Sequence, residues 1–116
     1  FFFQAYKMSE KIKNNIHFLL LLSSKETPRP QKEQLLKTIS KHQLLSLSEI
    51  AWNCLQGSLD IPSTQKTILK RHLNSARVLA STKSSIANKK TVLSVPLIDV
   101  LLLIAKDFLL HVNNNA

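Results

Sequence analysis

The sequence predicts an all-α protein, a single small bundle of about five short helices arranged as antiparallel hairpins. Glycine occurs once in 116 residues and leucine is abundant, a composition that favours helices joined by short turns. Apolar and polar residues do not alternate over any useful length, as they would in a half-buried strand. Apolar residues make up 44% of the chain, which is ordinary for a globular protein with a modest core.

Three segments of the chain differ in composition. Residues 1–7 precede the only methionine, Met8, and carry no helix cap, so we expect an upstream or disordered extension there. The corresponding hypothesis is that the natural product begins at Met8. Residues 8–95 are predicted to form a basic helical domain. Residues 96–116 are predicted to form an apolar C-terminal helix with a frayed end.

The first helix is predicted to follow Ser9, whose hydroxyl can cap it. Ile12, Ile16 and Leu19 recur at the three- and four-residue spacing of one buried helix face. A secretory signal is disfavoured, because the apolar run spans only residues 18–22 and charged residues follow it closely. The pattern therefore predicts a buried first helix.

Prolines and the single glycine divide the middle of the chain. Pro28 and Pro30 exclude a helix interior there, but Pro30 suits a first helical turn, so a short helix is predicted over residues 31–40. A longer helix is predicted over residues 44–55. This helix is expected to end at Gly57, because glycine adopts the left-handed backbone conformation that ends many helices with the smallest energetic cost.

Three side chains in the predicted 44–55 helix bear on function. Trp52 is expected either to close the core or to lie at its rim, since a buried indole N–H needs a partner. Cys54 is the only cysteine, which excludes an intrachain disulfide and a cysteine zinc site and is typical of a small core residue. Glu49 is the only acid of this helix, and the lack of a second carboxylate argues against general acid–base catalysis.

The centre of the chain is a basic segment. No acidic residue lies between Asp60 and Asp99, and the cations in that interval supply +7 of the formal net charge of +9. Helical periodicity predicts one helix that begins after a cap at Asp60 or Ser63 and a shorter one over residues 84–93, folded as a basic hairpin. The first of these helices is expected to bury one apolar side, made of Ile68, Leu69, His72, Leu73, Ala76, Leu79 and Ala80. The residues predicted to bind nucleic acid are Lys66, Lys70, Arg71, Arg77, Lys83, Lys89 and Lys90.

This excess of positive charge indicates a polyanionic partner, either nucleic acid or an anionic membrane surface, although lysines also solvate helix faces without any partner. Two basic helices in tandem can bind phosphates non-specifically through counterion release. A helix that reads base edges presents a stripe of Arg, Asn or Gln, and only Asn74 and Arg77 approach that pattern. We therefore expect nucleic-acid binding without sequence preference.

No pattern in the sequence predicts an enzyme, a cofactor or a metal site. The histidines at positions 17, 42, 72 and 111 lie far apart, and none is paired at the i, i+4 spacing of helical metal ligands. There is no Gly-rich phosphate loop and no elbow around a nucleophilic serine. A non-enzymatic protein is the prediction.

The last predicted helix, Leu97–Val112, has 12 apolar residues of 16 and a thin polar stripe that contains Asp99, Lys106 and Asp107. It is too short and too charged for a membrane span, which needs about 20 apolar residues. Three interpretations remain: a core helix that closes the bundle, a self-association face, or a helix at a membrane interface.

A longer motif runs through residues 47–93. An Asn-x-Leu-x-Gly helix end leads through a turn to Gln-Lys-x-x-Leu-x-Arg-His, an Arg-x-Leu-Ala segment and a lysine-rich stretch. The residues that carry these features are Asn53, Leu55, Gly57, Gln65, Lys66, Leu69, Arg71, His72, Arg77, Leu79, Ala80, Lys83, Lys89 and Lys90. With this motif, and with similar residues at 12–16 and 34–36, the chain resembles a small basic helical protein of Polinton/Maverick elements and adintoviruses.

The resemblance implies a small virion-associated or late protein of a virus-like element, comparable to the adenovirus core protein called X, and a location inside the cell, in the nucleus or the virion. Two features depart from the family pattern. Asp60 and Pro62 stand where proline and serine are expected, and the Gly-rich C-terminus is replaced by Leu97–Val112. The alternatives to DNA binding are a helical protein–protein module, which contacts a capsid protein or a second copy, and membrane activity through Leu97–Val112.

Overall fold

The computed structural model describes residues 10–57 and 61–114, which form eight helices and no strand. The all-α class is confirmed, but the number of helices exceeds the five or so that were expected. Two predicted helices each form a pair of shorter ones. The helices are α1 (Glu10–Asn14), α2 (Ile16–Ser23), α3 (Arg29–Lys37), α4 (Lys41–Leu55), α5 (Ser63–Arg71), α6 (Leu73–Ala80), α7 (Ile86–Thr91) and α8 (Val95–Asn114).

Asn15 separates α1 from α2, where the sequence predicts one continuous helix. Its backbone leaves the helical region, at φ −114° and ψ 16°, and its side-chain amide donates to the carbonyl of Lys11 at 2.8 Å. Asparagine side chains compete with the backbone in this way, which is why they disfavour helix interiors. Ile12 and Ile16 on either side of the break remain buried, as predicted.

A second break at His72, with φ −118° and ψ 17°, divides the first predicted helix of the basic hairpin into α5 and α6. The two halves pack on different partners: α5 lies against α8, and α6 lies mainly against α4. Leu69 is the buried residue of α5, whereas Ile68 is 38% exposed and does not belong to the apolar face expected for it. The basic segment therefore bends instead of running straight.

The boundaries of α3 and α4 follow from their caps. Pro28 precedes α3 and Pro30 lies in its first turn, as predicted. The helix ends at Lys37 because Ser40 starts the next one through a capping box with Gln43. After α4, Gly57 has a φ of +71°, which confirms the predicted left-handed stop.

The C-terminal helix α8 is central to the core. It packs most closely against α2 and also contacts α3, α4 and α5. Ten of its residues are buried, among them Leu101, Leu102 and Leu109, so it closes the bundle. It runs from Val95 to Asn114 and so extends two residues beyond the predicted helix Leu97–Val112 at each end. Among the described residues, no helix is both long and apolar enough to cross a membrane.

Two further features connect α8 and α4 to the rest of the fold. The ammonium of Lys32 on α3 lies 3.3 Å from the carboxylate of Asp99 on α8. Cys54 is buried on α4, and burial raises the pKa of its thiol to about 12. The prediction that Cys54 is a small core residue is confirmed. The predicted extension over residues 1–7 lies outside the described residues.

Candidate nucleic-acid interface

Six of the seven predicted binding cations have exposed side chains: Lys66, Lys70, Arg71, Arg77, Lys83 and Lys90. None of them forms an ion pair with a carboxylate that the structure describes. The ion pairs within the described residues join other cations, namely Lys13 to Glu10, Arg29 to Glu33 and Lys32 to Asp99. The positive charge of the basic segment is therefore available to an external anion.

Lys89 is the exception, and the expectation that it presents its ammonium to solvent is wrong. The residue is 4% exposed, and its ammonium donates to the carbonyls of Leu79 at 2.5 Å and Ser81 at 2.7 Å. These carbonyls lie at the C-terminal end of α6, where a cation interacts favourably with the helix dipole. Burial lowers the pKa of Lys89. Lys89 therefore closes α6 and does not meet a phosphate.

The start of α7 explains why Lys89 points inward. Ser85 caps this helix by accepting a hydrogen bond from the backbone N–H of Asn88 at 3.1 Å. The hydroxyl of Ser81 accepts from the backbone N–H of Lys83 at 3.1 Å in the preceding turn. The cap and the turn bring α7 beside the end of α6, so the side chain of Lys89 reaches the carbonyl of Leu79 and that of Ser81, which also accepts the backbone N–H of Ser84 at 3.3 Å.

Trp52, Arg77 and Lys83 line one surface groove. We call it the Trp52 groove, a cavity of about 360 Å³ between the end of α4 and the α6–α7 turn. Trp52 is 49% exposed, so of the two places expected for it the structure selects the rim. No acidic residue lines this groove. Its lining residues are Trp52, Leu55, Gln56, Arg77, Ala80, Ser81, Thr82 and Lys83.

Lys90 belongs to a different cavity, which we call the Lys90 cleft. This cleft of about 340 Å³ lies where α3 approaches the start of α8, and Arg29 and Lys37 of α3 also line it. Glu33 is its one acidic residue and is paired with Arg29 at 3.6 Å. The fold thus brings Lys90 beside two cations from a distant part of the sequence that the charge pattern did not single out.

The other predicted cations, Lys66, Lys70 and Arg71, are exposed on α5 and line neither of these cavities. The structure therefore brings Arg77 and Lys83 together, places Lys90 elsewhere, and leaves three cations on a separate helix. The bend at His72 separates the three cations of α5 from Arg77, because it directs α5 toward α8 and α6 toward α4. Lys90 lies apart because it belongs to α7.

A third cavity, the Glu49 groove, adjoins the Trp52 groove. It has a volume of about 490 Å³ and was not foreseen from the sequence. Its lining residues are Lys11, Lys41, Leu45, Ser48, Glu49, Trp52, Ala80, Thr82, Ser84, Ile86 and Lys89. The signal that was available is the spacing of Lys41, Leu45, Ser48 and Trp52, which recur every three or four residues and so share one face of α4, with Glu49 directly after Ser48 at the edge of that face.

The described residues contain no group of three or more His, Cys, Asp or Glu side chains that could hold a metal ion. The grooves instead present cations, one carboxylate and an aromatic ring. No protein-family model matches the chain, and no curated protein sequence or solved structure is significantly similar to it.

Proposed function

We propose that this chain binds nucleic acid without sequence preference, through its phosphates, and that the Trp52 groove is the principal contact. One observation carries the proposal: a half-exposed tryptophan shares an acid-free groove with Arg77 and Lys83. Proteins that bind nucleic acid non-specifically combine cations that contact the backbone with an aromatic ring on which a base stacks.

The remaining exposed cations support binding at longer range. Lys66, Lys70 and Arg71 on α5 and Lys90 in its cleft have no carboxylate partner among the described residues. Together with the formal net charge of +9, they create a positive potential that attracts a polyanion and accelerates association. Lys89 is not part of the proposed contact, because its ammonium is bonded to the carbonyls of Leu79 and Ser81.

The proposal extends to the biological setting. We take the chain to be a non-enzymatic, virion- or DNA-associated protein of a virus-like element, acting in the nucleus or the virion. The support is the sequence motif over residues 47–93, which resembles the small basic proteins of Polinton/Maverick elements and adintoviruses. A protein that coats or packages DNA needs affinity for phosphates, and it does not need contacts that distinguish one base from another.

A matched pair of double variants tests the groove. Arg77→Gln with Lys83→Gln removes two charges from the Trp52 groove, and Lys25→Gln with Lys106→Gln removes two charges from exposed residues outside it. Fluorescence anisotropy with a labelled DNA oligonucleotide at about 50 mM salt should show a loss on the order of tenfold or more for the groove variant relative to the control. Equal affinities of the two variants would overturn the assignment of the groove.

A protein–protein module is the second candidate, because leucines remain exposed on the helix pair at the centre of the fold. Leu103 and Leu110 lie seven residues apart on α8 and are 48% and 42% exposed, and Leu21 on α2 is 41% exposed. Most of the apolar surface of α8 is occupied by the core, so Leu103 and Leu110 are the large apolar side chains that this helix exposes to a partner or a membrane interface. Analytical ultracentrifugation of Leu103→Lys with Leu110→Lys tests this candidate, since a salt-independent dimer of the native chain should dissociate.

A further inference from the structure

The Glu49 groove contains two buried polar atoms that no other described residue satisfies. The hydroxyl oxygen of Ser48 and the carboxylate oxygen Oε2 of Glu49 are both shielded from solvent and have no hydrogen-bond partner. Ser48 is only 8% exposed. A buried carboxylate oxygen without a donor is costly, so this position favours a ligand that brings N–H groups into the groove.

The charges around the groove restrict the kind of ligand. Lys11 and Lys41 line it together with Lys89, and Glu49 is its one carboxylate. A basic peptide would satisfy Glu49 but would be repelled by the surrounding lysines. The ligand therefore needs negative charge along its length and N–H donors at one point, and a nucleotide has both in its phosphate and its base edge.

The position of Trp52 completes the argument. This ring lines both the Glu49 groove and the Trp52 groove, so the groove lined by Glu49 and the groove lined by Arg77 and Lys83 share one aromatic side chain. A base stacked on Trp52 would face the cavity lined by Glu49, with its neighbouring phosphates near the exposed lysines and arginine of the two grooves. A duplex cannot adopt this arrangement, because its base edges are paired and its faces are stacked.

We propose that the joined grooves bind single-stranded nucleic acid with one unpaired base stacked on Trp52, and that the carboxylate of Glu49 accepts hydrogen bonds from the edge of that base. Guanine fits best, because its adjacent N1–H and N2–H groups match a carboxylate. Thymine and uracil fit worst, because two carbonyl oxygens flank their single N–H and repel the carboxylate. This inference rests on the proposed function and refines it at one point: the phosphate contacts remain independent of sequence, and the joined grooves add a preference for an unpaired strand and for the one base that stacks on Trp52.

The intrinsic fluorescence of the protein provides a local readout, since Trp52 is the only tryptophan in the chain. Two oligonucleotides of about six nucleotides are compared, one all thymine and one with a single central guanine, a length that suits one binding site of this size. Anisotropy measures binding by any part of the protein, and tryptophan quenching measures stacking in the groove. The guanine oligonucleotide should quench Trp52 and bind about fivefold to a hundredfold more tightly.

Glu49→Gln is the informative variant, and Glu26→Gln is its control, because Glu26 is exposed and lines none of the three cavities. The ratio of the guanine to the thymine affinity should fall toward one in Glu49→Gln and stay unchanged in Glu26→Gln. The ratio is preferred to the affinity itself, because removing a negative charge strengthens phosphate binding to any sequence. Far-ultraviolet circular dichroism confirms that both variants remain folded.

The outcomes separate this inference from the proposed function. Salt-dependent binding of both oligonucleotides with equal affinity, or without quenching of Trp52, would overturn the base-binding site and leave phosphate binding intact. An unchanged guanine preference in Glu49→Gln would also overturn it. Absence of binding to either oligonucleotide at low salt would overturn both.

Discussion

The ammonium of Lys89 lies 2.5 Å from the carbonyl oxygen of Leu79 and joins α7 to the end of α6. A second bond to the carbonyl of Ser81 holds the turn between the two helices. That turn carries Thr82 and Lys83, which line the Trp52 groove. Lys89 therefore supports the wall of this groove but does not itself line it. Lys89 has the pattern of a binding residue in the sequence, but its role in the fold is structural.

The first prediction concerns this bond. Lys89→Met keeps the length of the aliphatic chain but leaves two carbonyls without their charged donor, so it should lower the free energy of unfolding by about 1–3 kcal/mol. Lys90→Met is the matched control, because Lys90 is exposed and should change stability by less than about 0.5 kcal/mol. Urea denaturation followed by circular dichroism measures both. Equal stability of the two variants would show that Lys89 has no structural role.

The second prediction concerns Gly57. Its φ of +71° is strained for any residue with a Cβ, but among the described residues no atom outside Gly57 and its chain neighbours lies within 4 Å of the place a Cβ would take. Gly57→Ala should therefore cost about 1 kcal/mol from backbone strain alone, and Gly57→Asn should cost less because asparagine tolerates this conformation. Chemical denaturation of the two variants measures the difference. A loss of several kcal/mol in Gly57→Ala would indicate a steric role that the structure does not show.

The third prediction concerns Cys54, whose thiol has a pKa raised to about 12 by burial. At pH 8 a thiol with this pKa is a thiolate in only about one molecule in ten thousand, so the folded protein should resist a thiol-specific reagent that the unfolded protein consumes rapidly. Because the folded state holds this proton more tightly than the unfolded state, stability should fall as the pH rises through the interval between about 9 and 12.

A comparison with Cys54→Ala isolates this effect from other titrating groups. The native chain should lose stability relative to the variant as the pH is raised above about 9, by at most about 1.4 kcal/mol per pH unit. Thermal denaturation at several pH values measures the difference. A difference that is independent of pH would contradict the account of a buried, protonated thiol.

The fourth prediction separates the two sides of α8. Leu101 is fully buried, and Leu101→Ala should cost about 2–5 kcal/mol because it leaves a cavity in the core. Leu103 is 48% exposed, and Leu103→Ala should cost less than about 1 kcal/mol. Urea denaturation of both variants provides the test. Similar losses at the two positions would mean that α8 is not oriented as described.

Several features of the fold could be predicted from the sequence because they depend on local chemistry. Gly57 stops a helix through its own backbone freedom, Pro30 occupies a first turn through its fixed φ, and Cys54 is buried because an isolated thiol on an apolar face behaves as a small hydrophobic residue. The all-α class follows from composition and periodicity in the same way.

Other features could not be predicted because they depend on which segments meet. The carbonyls that bind Lys89 belong to residues eight and ten positions earlier in the chain. The distribution of charged residues along the sequence does not indicate that contact. The break at His72 has no glycine or proline to mark it, and it divides cations that a straight helix would place together. The exposure of Trp52 likewise depends on how α4 packs against α6.

The salt dependence of DNA binding tests the central claim most directly. For the native chain, the logarithm of the association constant should fall linearly with the logarithm of the salt concentration. The slope for Arg77→Gln with Lys83→Gln should be smaller in magnitude by about 1.4–1.8, the value for two lost phosphate contacts, and the slope for Lys25→Gln with Lys106→Gln should match the native one. Identical slopes for all three proteins, or binding that does not respond to salt, would contradict the account.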